Sequence, residues 1–378
     1  MAQDKRSSEE RDPFEEYQKA ADPSKRERGY VWHTAIGLQA VDGLEPSEYL
    51  IQTAQKNVDG EITIDDAQKL VDSYYRQNRK REENRTEEAD RVSARTALLL
   101  SEKGFTLSAA QYLSIHKRLF EGIFPHAGRI RDYNITKEEW VLDRDTVIYG
   151  NWAELRETLE YDIQTEKAFS YEGLTMDEVM HHLAVFVSRL WQIHVFGEGN
   201  TRTTAVFFIK YLQSLGFNVT NDIFAKNAWY FRNAMVRANY TNLKKGIHET
   251  TEYLELFLRN LLLGENHPLK NRTLHISGAL QKQDIDGNKQ DIDRKTILSA
   301  HMKKAGFSGK TTENTLTLFD AFGTTLFFGR SDVVAVLKIT PSPASALLKR
   351  IANAGIIAPV SGMGKGKYRF MVPSDNTV

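Results

Sequence analysis

The chain contains no cysteine among its 378 residues. That excludes disulfides, thiolate metal centres and a cysteine nucleophile, and it suits a reducing compartment. Net charge is missing as well: 50 Lys and Arg balance 50 Asp and Glu. No global attraction to nucleic acid or membrane follows, so any such binding needs a local patch. No apolar run approaches the roughly 18 residues of a membrane span. The opening MAQDKRSSEERDPFEEY is too charged for a signal peptide. The expectation is a soluble cytoplasmic protein without a membrane partner; a homo-oligomer stays open. What is present, 41% hydrophobic and 26% charged residues, gives room for two or three domains with sizeable cores.

Residues 1–27 read as a loose polar arm with a short helix around Phe14 to Tyr17. A compact helical unit follows over 28–76, with Asp59-Gly60 as a turn. The run Arg76 to Asp90 is densely charged and reads as a solvated helix face or linker, the entry (77–90) to a domain over 77–265. Helical periodicity resumes from 88 and again over 108–120. Between Ile130 and Tyr149 it changes to short extended pieces, which predicts a small hairpin among helices. Thr175 with Glu178 makes a capping box. The apolar stripe Val179, Leu183, Phe186, Leu190 and Ile193 then predicts a helix buried on one face. A second helix, 201–215, is apolar almost all round and stops at Gly216, as the central helix of a bundle would.

Between those two helices lies His194-Val195-Phe196-Gly197-Glu198-Gly199-Asn200-Thr201-Arg202. The helix that starts after Gly199 points its free N–H groups and its dipole at this loop, which is a ready anion site. Arg202 in its first turn can offer a planar fork to a phosphate, and Asn200 an amide. Glu198 could hold a magnesium ion bridging two phosphates. His194 could accept a proton from an attacking hydroxyl. Taken singly, each residue has an ordinary structural role open to it. Their order between two buried helices favours a phosphate-handling site.

This segment resembles the signature of the Fic family, H-P-F-x-[D/E]-G-N-G-R-x-x-R. The resemblance extends to His116-Lys117-Arg118-Leu119-Phe120 and Ala127-Gly128-Arg129-Ile130-Arg131, which is similar to the segment leading into that family's flap. It implies a mainly α, Fic-type helical bundle with a small β-hairpin flap over about 132–150. The implied activity is adenylyl transfer, in which ATP and magnesium serve to place AMP on a hydroxyl of a target protein, automodification included. His194 would be the base and Glu198 the metal ligand. Gly199, Asn200, Thr201 and Arg202 would hold the phosphates, Asn239 would contact adenine, and Trp140, Val141 and Leu142 would align the target as an added strand. Three positions depart from the signature: Val195 for Pro, Thr201 for Gly, and Ala205 for the second Arg. The change at Thr201 leaves a phosphotransferase of the same fold as an alternative. A DNA-associated regulator with a nucleotide-sensing, non-catalytic site is another.

Residues 30–76 resemble the helical antitoxins that silence Fic toxins, whose inhibitory pattern is [S/T]-x-x-x-E-[G/N]. Here Leu38 and Asp42 occupy the two key positions. With a shortened acid and no arginine at 205, the resemblance implies a scaffold whose inhibition is weakened or lost. Residues 266–298 read as a linker. Over 299–378, helices near 295–305, 312–322, 331–338 and 344–354 precede two short strands flanking the basic tip Gly362 to Gly366. That is the order of a winged helix-turn-helix. Its basic face, Lys349, Arg350, Lys365, Lys367 and Arg369, fits either DNA backbone or a protein partner.

Overall fold

A computed structural model describes residues 13–77, 85–219, 222–277, 298–299, 302, 305–322, 328–359 and 367–371. The chain divides into two compact units, Met1–Gln281 and Lys282–Val378.

The first unit is helical: α1 (Glu15–Gln18), α2 (Pro23–Gly37), α3 (Glu48–Asp59), α4 (Ile64–Gln77), α5 (Thr86–Ser101), α6 (Ala109–Phe120), α7 (Leu155–Ala168), α8 (Met176–Ile193), α9 (Asn200–Ser214), α10 (Ile223–Ala238), α11 (Glu252–Leu263) and α12 (Asn271–Leu274). Helix α9 is the central one, buried at every position from Asn200 to Leu212. Even Lys210 is inside, because its ammonium donates to the carbonyls of Leu99 and Glu102 at 2.9 and 2.6 Å, where α5 ends and its dipole is negative. Helix α8 starts with both halves of the Thr175–Glu178 capping box in place.

The N-terminal helical unit is not a detachable cap. Leu38 and Val41, in a 3-10 turn over Leu38–Asp42, belong to the main hydrophobic core. Helix α2 lies so close to α10 that a Cβ on Gly37 would meet the Ala225 carbonyl oxygen at 2.4 Å. Trp32, Leu50, Val58 and Val71 form a smaller cluster completed by Ala94 and Ala97 of α5.

Several expectations change here. Helix α2 begins at Pro23, inside the expected arm, and Phe14 is buried in that smaller cluster; residues 1–12 lie outside the described ones. The charged run before Asp90 is solvated only in part: Arg76, Gln77, Arg85 and Glu87 are exposed. Glu88 and Asp90 point inward, and Asp90 is satisfied by Ser47 N–H at 2.8 Å and Tyr75 OH at 2.7 Å. Charges can be buried in this way when each has a partner. The expected flap hairpin carries no strand. Residues 140–142 form a 3-10 turn, and Asp143 and Arg144 both have positive φ, 55° and 68°, which breaks an extended run. The loop closes instead through Glu139, whose N–H donates to Asp145 O at 2.9 Å and whose carbonyl accepts from Arg144 N at 3.0 Å. Residues 271–277, expected as linker, belong to the first unit: α12 lies there, and Leu274 is buried in its core.

In the second unit, α13 (Gly309–Phe322), α14 (Arg330–Leu337) and α15 (Pro341–Asn353) precede β1 (Ile357–Pro359) and β2 (Tyr368–Phe370). The strands are antiparallel, with Ile357 opposite Phe370 and Pro359 opposite Tyr368. Gly329 is the N-cap of α14, and its N–H donates to Asp332 at 2.7 Å. The expected tip Gly362 to Gly366 and most of the expected helix near 295–305 lie outside the described residues.

Candidate active site

The loop between α8 and α9 is built as a closed ring. Asn200 accepts from Phe196 N–H at 3.0 Å and donates back to Phe196 O at 2.7 Å, so its side chain pairs like a strand residue with the loop backbone. Gly199 has φ +73°, and a Cβ there would strike the Phe120 ring at 2.5 Å, so both conformation and space demand glycine. His116 holds the loop from below. Its Nε2–H donates to Glu198 O at 3.0 Å, its Nδ1 accepts from Gly128 N–H at 2.8 Å, and its ring stacks on Phe196 at 3.6 Å. Burial drives the pKa of His116 down to about 3, which fits the fixed neutral tautomer. Thr201 accepts from the Trp191 indole N–H at 3.0 Å and so ties α9 to α8. No side chain caps α9, so the N–H groups of its first turn are left to meet an anion.

His194 terminates α8 in the left-handed region, at φ 51° and ψ 57°. A β-substituted residue stays there only when its surroundings over-determine it, and Arg131 does this. Its guanidinium donates to His194 O at 2.7 Å, Gly150 O at 2.5 Å, Ile193 O at 3.4 Å and Tyr133 O. The His194 ring is 3% exposed, tilts against Tyr149 with centroids 4.3 Å apart, and its Nε2 has no hydrogen-bond partner. Burial first, then the charge of Lys137, holds its pKa well below the usual imidazole range. His194 is therefore neutral near pH 7 and has an accepting nitrogen without a partner.

These two histidines predict an acid-side loss of stability. Folded, both stay neutral below pH 6.5; unfolded, both protonate near it. The unfolded chain therefore binds more protons below about 6.5, and the stability present in full above that pH falls as pH drops. The slope approaches about 1.4 kcal/mol per pH unit for each histidine, and for His116 the loss continues down to about 3. Urea midpoints at pH 7.5, 6.0 and 5.0 measure it. A flat profile across that window would contradict the buried neutral assignment.

Arg202, expected to meet a phosphate, is 1% exposed and already engaged. Its Nη2 pairs with Glu88 at 2.7 Å, its Nη1 donates to Gln39 at 3.0 Å, and its Nε lies 2.8 Å from Asp42. The guanidinium also covers the Phe120 ring at 4.8 Å. The Asp42 contact lies off the N–H direction, since Nε makes no hydrogen bond. Asp42 thus has an arginine partner after all, one turn earlier than position 205. Ala205 itself is fully buried, and so is Leu38. Glu198 is different: its side chain is 58% exposed, and its only ion pair among the described residues is a long 3.9 Å contact to Arg85.

The expected flap residues divide. Val141 and Leu142 are buried in the core, while Trp140 is exposed and packs edge-on against His275 at 4.9 Å. The Val141 carbonyl accepts from Ile276 N–H at 3.0 Å, so the chain's own segment after α12 occupies that edge. Asn239 caps α10, and its amide donates to Ser188 O and Met235 O, both at 2.9 Å. It also lines a groove with His181, Ser188, Arg189 and Gln192 along α8. Sequence reasoning missed Gln39, Glu88, Arg131, Lys137, Glu139 and Tyr149. None of them is near the motif in sequence; Arg131 lay in the segment leading into the expected flap, Lys137, Glu139 and Tyr149 in the flap region, and Gln39 in the N-terminal helical unit, but none had been given a role.

In the second unit the basic set is partly engaged. Lys367 pairs with Asp332 at 2.8 Å, and Arg350 lies over Phe307 at 5.2 Å. Lys349 and Arg369 are exposed, and Lys365 lies outside the described residues.

Residues 106–212 match the model of the Fic/DOC family. No curated protein is significantly similar. Among solved structures, a crystal structure of a Fic family protein from Desulfovibrio desulfuricans G20 is similar at 11% identity, covering 94% of this chain and 90% of that chain at a TM-score of 0.42. Among the described residues no helix is long and apolar enough to cross a membrane. Fic family proteins are generally transferases, and it is residues 106–212 of this chain that match that family's model.

Proposed function

We propose that the chain transfers AMP from ATP to a hydroxyl of a target protein. The observation that carries this reading is the neutral, buried His194, whose Nε2 has no partner, six residues ahead of an uncapped helix N-terminus. A hydroxyl presented to Nε2 gives up its proton as its oxygen attacks the α-phosphorus, and pyrophosphate leaves. The first-turn N–H groups of α9 take the charge that develops on the α-phosphate. Glu198 fits a magnesium ion: an exposed carboxylate beside the phosphate cradle suits a cation that takes one or two carboxylates along with substrate phosphate oxygens. When bound, that ion neutralises phosphate charge. Thr201 supports the cradle through Trp191. The groove at Asn239 suits the nucleoside, with the Asn239 carbonyl, not its amide N–H groups, left to face it.

Phosphoryl transfer is the second reading, kept by Thr201 where the signature has glycine. ATP labelled at the α-phosphate or at the γ-phosphate, added to the purified chain with a cell lysate, separates the two. The expected result is protein-bound label from α only, on a lysate protein or on the chain itself. Label from γ only would overturn nucleotidyl transfer in favour of phosphotransfer. Label from neither, in the presence of magnesium, would refute both.

A further inference from the structure

We propose that Lys137, on the loop between α6 and α7, is the residue that binds the terminal phosphates of the nucleotide. The proposal rests on the nucleotide-transfer reading given above.

A triphosphate brings several negative charges, and the site has to answer them with cations. Position 205 supplies none, because it is a fully buried alanine. Arg202 is held by Glu88, Asp42 and Gln39. The charge on His194 is opposed by three cations, Lys137, Arg232 and Arg131. Two of these are committed. Arg131 donates to carbonyls on both sides of the loop. Arg232 pairs at 2.7 Å with the buried Glu139, which also accepts from Tyr149 OH at 2.9 Å. Lys137 is the third, and among the described residues it makes no ion pair.

That isolation is not for want of acids nearby. Asp42, Glu139 and Glu198 all act on the Lys137 ammonium, yet each is paired elsewhere: Asp42 with Arg202, Glu139 with Arg232, and Glu198 loosely with Arg85. Lys137 is half-buried, two residues before Glu139, and its backbone N–H is fixed by Thr146 Oγ1 at 3.3 Å. Its backbone is therefore anchored, while its ammonium, whose charge acts on His194, makes no ion pair among the described residues. Burial holds its pKa below the usual lysine value, the response of an ammonium that lacks a counter-ion. A phosphate would supply one. Burial first, and then the same charge, hold the His194 pKa down, so a single side chain would serve the leaving group and assist the base.

The test is calorimetric titration of the full chain with ATP and with AMP, each with magnesium, in the His194→Asn background to prevent turnover. Lys137→Gln should lose about tenfold or more in ATP affinity and stay within about twofold for AMP, and Lys137→Arg should restore most of the loss. Thermal melts establish that each variant is folded. Unchanged ATP affinity in Lys137→Gln, or equal losses for ATP and AMP, would overturn the assignment and leave the transfer reading standing. If the chain binds no nucleotide, tripolyphosphate is titrated in its place. Binding that requires Lys137 then keeps the phosphate site and refutes the nucleotide reading; no binding refutes both.

Discussion

His194→Asn should lower transfer by about 10²–10⁴-fold, the usual contribution of a positioned general base, with the fold intact. Asparagine is the control because it tolerates the left-handed conformation that position 194 adopts. An alanine variant would add backbone strain to the loss of the base. Removing the ring also removes a buried nitrogen with no partner, which offsets part of the packing lost against Tyr149. Label incorporation measures the activity and urea denaturation the stability. Activity within threefold of the unsubstituted chain would show that another group takes the proton.

The second large effect concerns the knot around Arg202. Arg202→Ala should destabilise the first unit by about 1–3 kcal/mol, since the buried Glu88 carboxylate loses one of its two arginine partners and keeps only Arg85 at 2.6 Å. Asp42→Asn should leave the fold in place, because Glu88 and Gln39 still hold the guanidinium. It should also raise transfer about tenfold, or about 1.4 kcal/mol, because one carboxylate fewer then opposes the incoming phosphates and competes for the Lys137 ammonium. The off-axis geometry of the Asp42 contact makes it the weaker of the two carboxylate contacts. Unchanged transfer in Asp42→Asn would mean that the contact is structural only. Deleting residues 1–76 cannot answer the question, because it would strip Leu38 and Val41 from the main core and expose Ala94 and Ala97.

What the sequence made legible was local. The capping box and apolar stripe of α8, the all-round burial of α9 and the nine-residue loop between them depend on residues within a few turns of one another. Periodicity and spacing are enough for such features. The loop over 130–149 was misjudged because Val141, Leu142 and Val147 are buried by tertiary packing instead of by alternation along a strand. Two successive left-handed residues, neither of them glycine, gave no warning of the turn. The site's supporting residues were hidden for a related reason. Arg131 reaches carbonyls 63 residues away and Arg202 reaches Glu88 across 114. Asp42 was singled out for its type, but its actual partner follows from where α9 passes the 3-10 turn at Leu38–Asp42, which no local pattern encodes.

The bond from Ile276 N–H to the Val141 carbonyl sets a threshold for whatever pairs with this loop. Any extended segment seeking that carbonyl meets a rival on the same polypeptide, whose local concentration does not change with dilution. The newcomer's apparent affinity is its intrinsic affinity multiplied by the fraction of time the residues after α12 are lifted away. Recognition at this edge is thus a contest with an internal ligand, and the sequence between Leu274 and Ser277 sets how hard that contest is to win.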